Sequence, residues 1–281
     1  MRAAIAAIAL ILTASSAFAQ LGDLLRRVNP DKIKAGTKAV TAATHEFTED
    51  EEADIGRVVA ARVLATYPLA SNDRLQKYVT LVGRTVAAYS TRPTLEWHFA
   101  VIQTDIVNAF SCPGGYIFVT TGALNQMKSE AELAALLGHE IAHATQKHIL
   151  KEVKRSNTIS AGLDVAKTTS TGSFLNAGLA DKVSKIAYEK LFTSGLSRRD
   201  EQEADTIGVK MAAAAGYRAA AYVDFLETLQ EIEGEKSMSV LTATHPRPAD
   251  RLGYVKSAAG NPRNGELLED RWARWTQPSG R

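Results

Sequence analysis

Cysteine is almost missing from this 281-residue chain: Cys112 stands alone, so no intramolecular disulfide is possible and stability must come from a packed core. A lone thiol reads either as a small buried side chain or as a nucleophile, and the buried side chain is the plainer reading. Charge of one sign is also missing. The formal balance is +2, or +1 once the first nineteen residues, with Arg2 as their only charge, are set aside. No basic run is interleaved with aromatics, so there is no footprint for a nucleic-acid partner. Beyond the N-terminus no stretch reaches the ~18 apolar residues of a membrane span, which argues against a transmembrane protein. The apolar and charged shares, 45% and 23%, are those of an ordinary globular chain, long enough for one large domain with a real core.

The first nineteen residues have the layout of a secretory signal. Arg2 supplies the positive end, Ala3 to Leu12 a short apolar run, and Ala17-Phe18-Ala19 a small-residue cleavage site. Gln20 rather than cysteine follows the cut, so the expected product is exported, most simply to a periplasm, and is not a lipoprotein. Residues 20–47 read as a loosely amphipathic arm that could pack on the body, bind an envelope complex or touch a membrane surface. The body is expected over 48–262, and a polar tail over 263–281.

Helical patterning begins at Thr48, where Thr48 and Glu51 can form a capping box, and resumes at Asn72, a second N-cap. Thr91-Arg92-Pro93 breaks it, and two strands follow, Leu95 to Ile102 and Tyr116 to Thr120. Helix predominates afterwards, apart from the polar patch Thr168 to Ser173, which reads as a loop. A small sheet against a helical body gives an α+β fold dominated by helix.

The chemistry sits in His139-Glu140-Ile141-Ala142-His143. On a helix, residues i and i+4 project from one face, so the two imidazoles can hold one zinc ion while Glu140 reaches a water it activates. Ser129 and Glu132 offer a capping box for this helix, and Leu133, Leu136, Leu137 and Ile141 give it a buried face. Two histidines are too few, because a catalytic zinc takes three protein ligands. His148 lies roughly 140° around the helix from His143 and should point elsewhere, as a surface or capping residue. Glu201 and Asp205 share one face of a second helix, with Glu203 roughly 160° away. That spacing fits a ligand with a carboxylate behind it, and it fits a solvated acidic face equally well.

Four blocks occur in a fixed order: Asn108-Ala109-Phe110 through Pro113-Gly114-Gly115, the H-E-x-x-H helix, Ser197-Arg198 to Asp205, and His245-Pro246 to Arg251. On these blocks the chain, from about Thr48 to Ala258, resembles metallopeptidase family forty-eight. It is nearest to the soluble periplasmic branch, since it lacks the membrane spans of the HtpX and CaaX prenyl-protease branches. The resemblance implies a zincin-type helix packed on a small sheet whose edge strand borders the cleft. It implies one Zn2+ per chain held by His139, His143 and Glu201, with Glu140 as general base and Asp205 orienting a liganding histidine. It also places the strand after Gly114 and Gly115 beside the cleft, so that Gly114, Gly115, Tyr116, Ile117 and Phe118 would bind an extended substrate. The plain alternative is that Pro113-Gly114-Gly115 is a tight turn. His245 would stabilise the oxyanion or occupy the fourth zinc position, unless it is only a turn histidine before Pro246. Arg251 would pair with a site carboxylate.

The expected protein is thus an exported zinc metalloendopeptidase, acting on unfolded or misfolded envelope proteins in quality control. The alternatives are a latent or non-catalytic zinc-containing chaperone or interaction module, and an exopeptidase.

Overall fold

The computed structural model describes residues 46–156 and 177–276. The expected signal segment, nearly all of the arm, the polar patch Thr168 to Ser173 and the last five residues lie outside them. The body opens with α1 (Glu49–Thr66), whose capping box is complete: Thr48 Oγ1 accepts from Glu51 N, and Thr48 N donates to the Glu51 carboxylate. Asn72 caps α2 (Asp73–Ala87) through Leu75 N. Three short strands follow, β1 (His98–Ile102), β2 (Ala109–Cys112) and β3 (Tyr116–Thr120). Next come α3 (Glu130–Thr145), α4 (His148–Arg155), α5 (Ala177–Glu189) and α6 (Arg198–Ala214). The chain closes with α7 (Ala221–Glu231), α8 (Ser239–Thr244), α9 (Pro248–Ala259) and α10 (Glu269–Thr276). The fold is α+β and mostly helical.

The sheet has the order β1-β3-β2, with β1 parallel and β2 antiparallel to β3. Side chains alternate between its faces, as the period of two requires. Phe99, Val101, Ala109, Ile117 and Val119 join one core with Val79 and Val82 of α2 and Leu133, Leu137 and Ile141 of α3. Ala100, Ile102, Phe110, Phe118 and Tyr116 join another with Ile55 and Val59 of α1, Ile149 of α4 and Val183 of α5. Among the described residues, no helix is long and apolar enough to cross a membrane.

Four sequence expectations change here. β3 is the central strand, hydrogen-bonded on both sides, so no substrate can add along Tyr116, Ile117 and Phe118; their side chains fill the two cores. Gly114 and Gly115, at φ 70° and 84°, form a structural turn. Gly114 N donates to Glu52 of α1, and a Cβ there would sit 3.0 Å from Ala53 Cα. The strand missing from the sequence reading is β2, whose four residues are too few to show a period. Ser129 does cap α3 through Glu132 N, but Glu132 reaches back one residue further, to Lys128 N, so the box is not reciprocal. The fourth change is the tail: α10 packs on the body, with Trp272 buried and donating to Met127 O, Trp275 stacked on Tyr78, and Arg271 paired with Glu130. Two tryptophans on one face of a short helix anchor a segment whose charges make it read as polar.

Candidate metal centre

His139 and His143 stand one turn apart on α3, with their Nε2 atoms 2.9 Å from each other. From the facing helix α6, Glu201 brings Oε2 to 3.8 Å from His139 Nε2 and Oε1 to 3.6 Å from His143 Nε2. His245, where the chain leaves α8, aims Nε2 to 3.9 Å from Glu201 Oε2. One donor atom from each of these four residues lies within 4.8 Å of the others.

The hydrogen-bond partners behind the rings assign their protons. His139 Nδ1 lies 2.7 Å from Asp205 Oδ1, so it carries the ring proton and leaves the Nε2 lone pair facing the centre. Thr244 Oγ1 gives its own proton to Val240 O and so accepts from His245 Nδ1 at 3.0 Å, which again leaves a bare Nε2. Asp205 is held in turn by Arg251, whose Nε and Nη2 donate to its two oxygens at 2.9 and 2.6 Å, while Nη2 also donates to Tyr222 OH. Burial alone would raise the Asp205 carboxyl, but Arg251 and His139 outweigh it and hold the group well below the usual carboxylate range.

A cation fits this donor set. Both oxygens of Glu201, a residue with no exposure, lack a hydrogen-bond partner among the described residues. Such an orphaned carboxylate is costly unless a positive charge faces it. Burial pushes the Glu201 carboxyl well above its ordinary value and the Glu140 carboxyl up to about 8, while burial holds His139, His143 and His245 below theirs. A divalent ion bound among them reverses that logic. Two imidazoles, a carboxylate and a further imidazole are ligands of the type zinc takes.

Two small cavities flank Glu140. One is walled by Val107, Leu136, Phe225, Leu229 and Leu241, the other by Ser111, Leu191, Leu196 and Thr244, and Ala109 of β2 borders both. Among the described residues β2 pairs only with β3 in the sheet, so an edge strand does border the cleft, and it is this one.

Of the expected site residues, the structure brings together His139, Glu140, His143, Glu201, Asp205, His245 and Arg251. It leaves Gly114, Gly115, Tyr116, Ile117 and Phe118 in the turn and cores described above. Cys112 is buried, and burial pushes its thiol far up, which fits the packing role and not a nucleophile. Two residues escaped the sequence reading. Asn108, 2% exposed, lines the first cavity beside Glu140 with both side-chain polar atoms unpartnered among the described residues. Its signal was its place at the head of the first family-like block. His148 is fully buried with Nδ1 2.8 Å from His143 Nδ1, whereas a surface or capping residue pointing away from His143 was expected. The helical wheel fails there because Lys147 takes a left-handed conformation, φ 56° and ψ 37°, that ends α3 and turns α4 back.

Comparison with known proteins agrees with this geometry. The profile of Peptidase family M48 matches residues 73–259. The chain is 26% identical over 223 residues to the beta-barrel assembly-enhancing protease of Yersinia pestis, covering 78% of this chain and 46% of that one. It is 25% identical over 227 residues to the protein of that name in Escherichia coli K12, covering 79% and 47%. It is 34% identical over 172 residues to the mitochondrial metalloendopeptidase OMA1 of Arabidopsis thaliana, covering 61% and 33%. The chain thus spans about half, or less, of the length of these relatives.

Proposed function

The chain belongs to peptidase family M48, and on that premise we propose that it is a zinc metalloendopeptidase that cleaves unfolded or misassembled proteins of the cell envelope. The observation that carries the reading is the convergence of His139, His143 and the orphaned Glu201 carboxylate beside the buried acid Glu140. The relatives, a beta-barrel assembly-enhancing protease and a mitochondrial metalloendopeptidase, support a peptidase of the envelope. The N-terminal signal pattern supports export. An edge strand beside the cleft suits an extended substrate held by its backbone with little sequence selectivity. The apolar walls of the first cavity suit the apolar side chains that unfolded chains expose.

His139, His143 and Glu201 would hold the metal. When bound, zinc makes a water nucleophilic near neutral pH and polarises the scissile carbonyl. Glu140 takes the proton of the attacking water and delivers it to the leaving amine. Its burial shields that proton from bulk water between the two steps. Asp205, clamped by Arg251, fixes the ring of His139 so that Nε2 stays aimed at the metal.

A second reading has its own observation. With its proton on Nδ1, His245 presents a bare Nε2 to the cluster, the form in which imidazole ligates metal and cannot donate to an oxyanion. On this reading the peptidase would be latent, with His245 as a fourth ligand beside His139, His143 and Glu201.

The test is digestion of casein by residues 20–281, beside matched Glu140→Gln protein. Internal cuts by wild type and a loss of at least about a hundredfold in the variant, with zinc content unchanged, are expected. Equal activity in the variant removes Glu140 from the role of base, and trimming of termini alone identifies an exopeptidase.

A further inference from the structure

His139 has an anionic partner behind it in Asp205, whereas the ring behind His143 is another histidine. His143 Nδ1 lies 2.8 Å from His148 Nδ1, with the rings crossed at 73°. The far nitrogen of His148, Nε2, lies 3.4 Å from Glu203 Oε2 and 3.6 Å from Asp200 Oδ1. If His143 Nε2 faces a metal, its ring proton must sit on Nδ1, and His148 Nδ1 must then be bare to accept it. A neutral His148 therefore carries its proton on Nε2, where the Glu203 carboxylate is within hydrogen-bond reach and the Asp200 carboxylate adds its negative charge at 3.6 Å. Each nitrogen in the chain then has one consistent role, and every donation would run outward from a metal held at His143 Nε2.

We propose that His148 is a positioning residue for the ligand His143, kept in its Nε2–H form by Asp200 and Glu203. The proposal rests on the metal-site reading above. It gives α6 a larger part in the centre than the two residues expected from the sequence. Glu201 supplies a ligand, Asp205 orients His139 directly, and Asp200 and Glu203 orient His143 through His148. Asp200 is free to do so with Oδ1 because its Oδ2 is occupied by the Ser197 hydroxyl. The left-handed Lys147 is what returns His148 to this position. A zinc-bound imidazole fixed from behind keeps one tautomer and one orientation, and loss of such a partner typically weakens metal binding 10- to 100-fold.

The test is zinc affinity measured by competition with a chromophoric chelator, with folding checked by melting in excess chelator. Zinc bound by wild type and lost in His139→Ala establishes the site; no zinc in wild type overturns the site reading itself, and the proposal with it. Given a working site, His148→Leu should bind zinc about 10- to 100-fold more weakly. His148→Asn, whose Oδ1 can accept in place of Nδ1, should stay close to wild type. Unchanged affinity in the Leu variant, or equal loss in both, overturns the proposal. Should the Leu variant fail to fold, the zinc-loaded wild type decides by itself. Ring 15N spectra should show His143 protonated on Nδ1 and His148 on Nε2, and a His148 ring protonated on Nδ1 overturns the assignment.

Discussion

Gly138 of α3 and Gly208 of α6 meet backbone to backbone where the two helices cross. A Cβ on Gly138 would lie 2.6 Å from the Gly208 carbonyl oxygen, and one on Gly208 would lie 2.5 Å from His139 N. That contact is what lets Glu201 and Asp205 reach the histidines of the opposite helix. Gly208→Ala is expected to cost about 1–3 kcal/mol by overpacking. It should also weaken zinc binding, because α6 must retreat with its carboxylates. Urea unfolding in chelator and a zinc titration check the two effects separately. Wild-type values in both would mean that the crossing can relax without disturbing the centre.

Asn108 makes the opposite kind of prediction. Its side-chain amide is buried beside Glu140 with no partner among the described residues, so truncation should not destabilise the resting protein as buried truncations usually do. If the amide instead waits for a substrate peptide group, Asn108→Ala should lower kcat/KM on a peptide substrate by about tenfold, the worth of one hydrogen bond. A stable variant with unaltered kinetics would remove Asn108 from substrate binding.

For His245, the bare Nε2 in the ligand cluster leads to an expected gain of function. His245→Ala should raise casein hydrolysis by opening the fourth position, without loss of zinc from the remaining three ligands. A fall in activity would assign the side chain to the oxyanion instead.

Glu132 gives a pH dependence remote from the metal. Burial pushes its carboxyl up to about 7 from an ordinary 4.5, against the lowering effect of the Lys128 amide. The folded state therefore holds the proton more tightly than the unfolded one. This contribution is fully present below pH 4.5 and is lost as pH rises through about 7. Glu132→Gln keeps an acceptor for Lys128 N and does not ionise. Relative to wild type it should gain roughly 1–3 kcal/mol between pH 5 and pH 8. Urea unfolding at both values, in chelator so that zinc does not contribute, measures the difference. No change in the gap would show that Glu132 ionises freely in place.

What was legible in the sequence was what a single helix or a single turn decides. Thr48, Asn72 and Ser129 cap helices because a side-chain oxygen two or three residues from an open amide needs nothing else. His139 and His143 share a face because the helical period places them there, and the same holds for Glu201 and Asp205. Spacing could not tell whether the acidic face of α6 met solvent or the histidines. The crossing at Gly138 and Gly208 settles that, and it is a contact between residues seventy positions apart.

The remaining features were tertiary for the same reason. β3 lies in the middle of the sheet because β1 and β2 pair on either side of it, and strand order leaves no trace in a five-residue pattern. His148 faces His143 because one left-handed residue breaks the helix whose continuation the wheel assumes. Trp272 and Trp275 anchor the C-terminal helix because a surface made by α2 and α3 receives them. Which side chains could act as ligand, base and cap was readable without any tertiary contact, since those properties belong to residue type and local period. Which of them share a site was decided by the tertiary structure, since distances between elements depend on packing that no local period encodes.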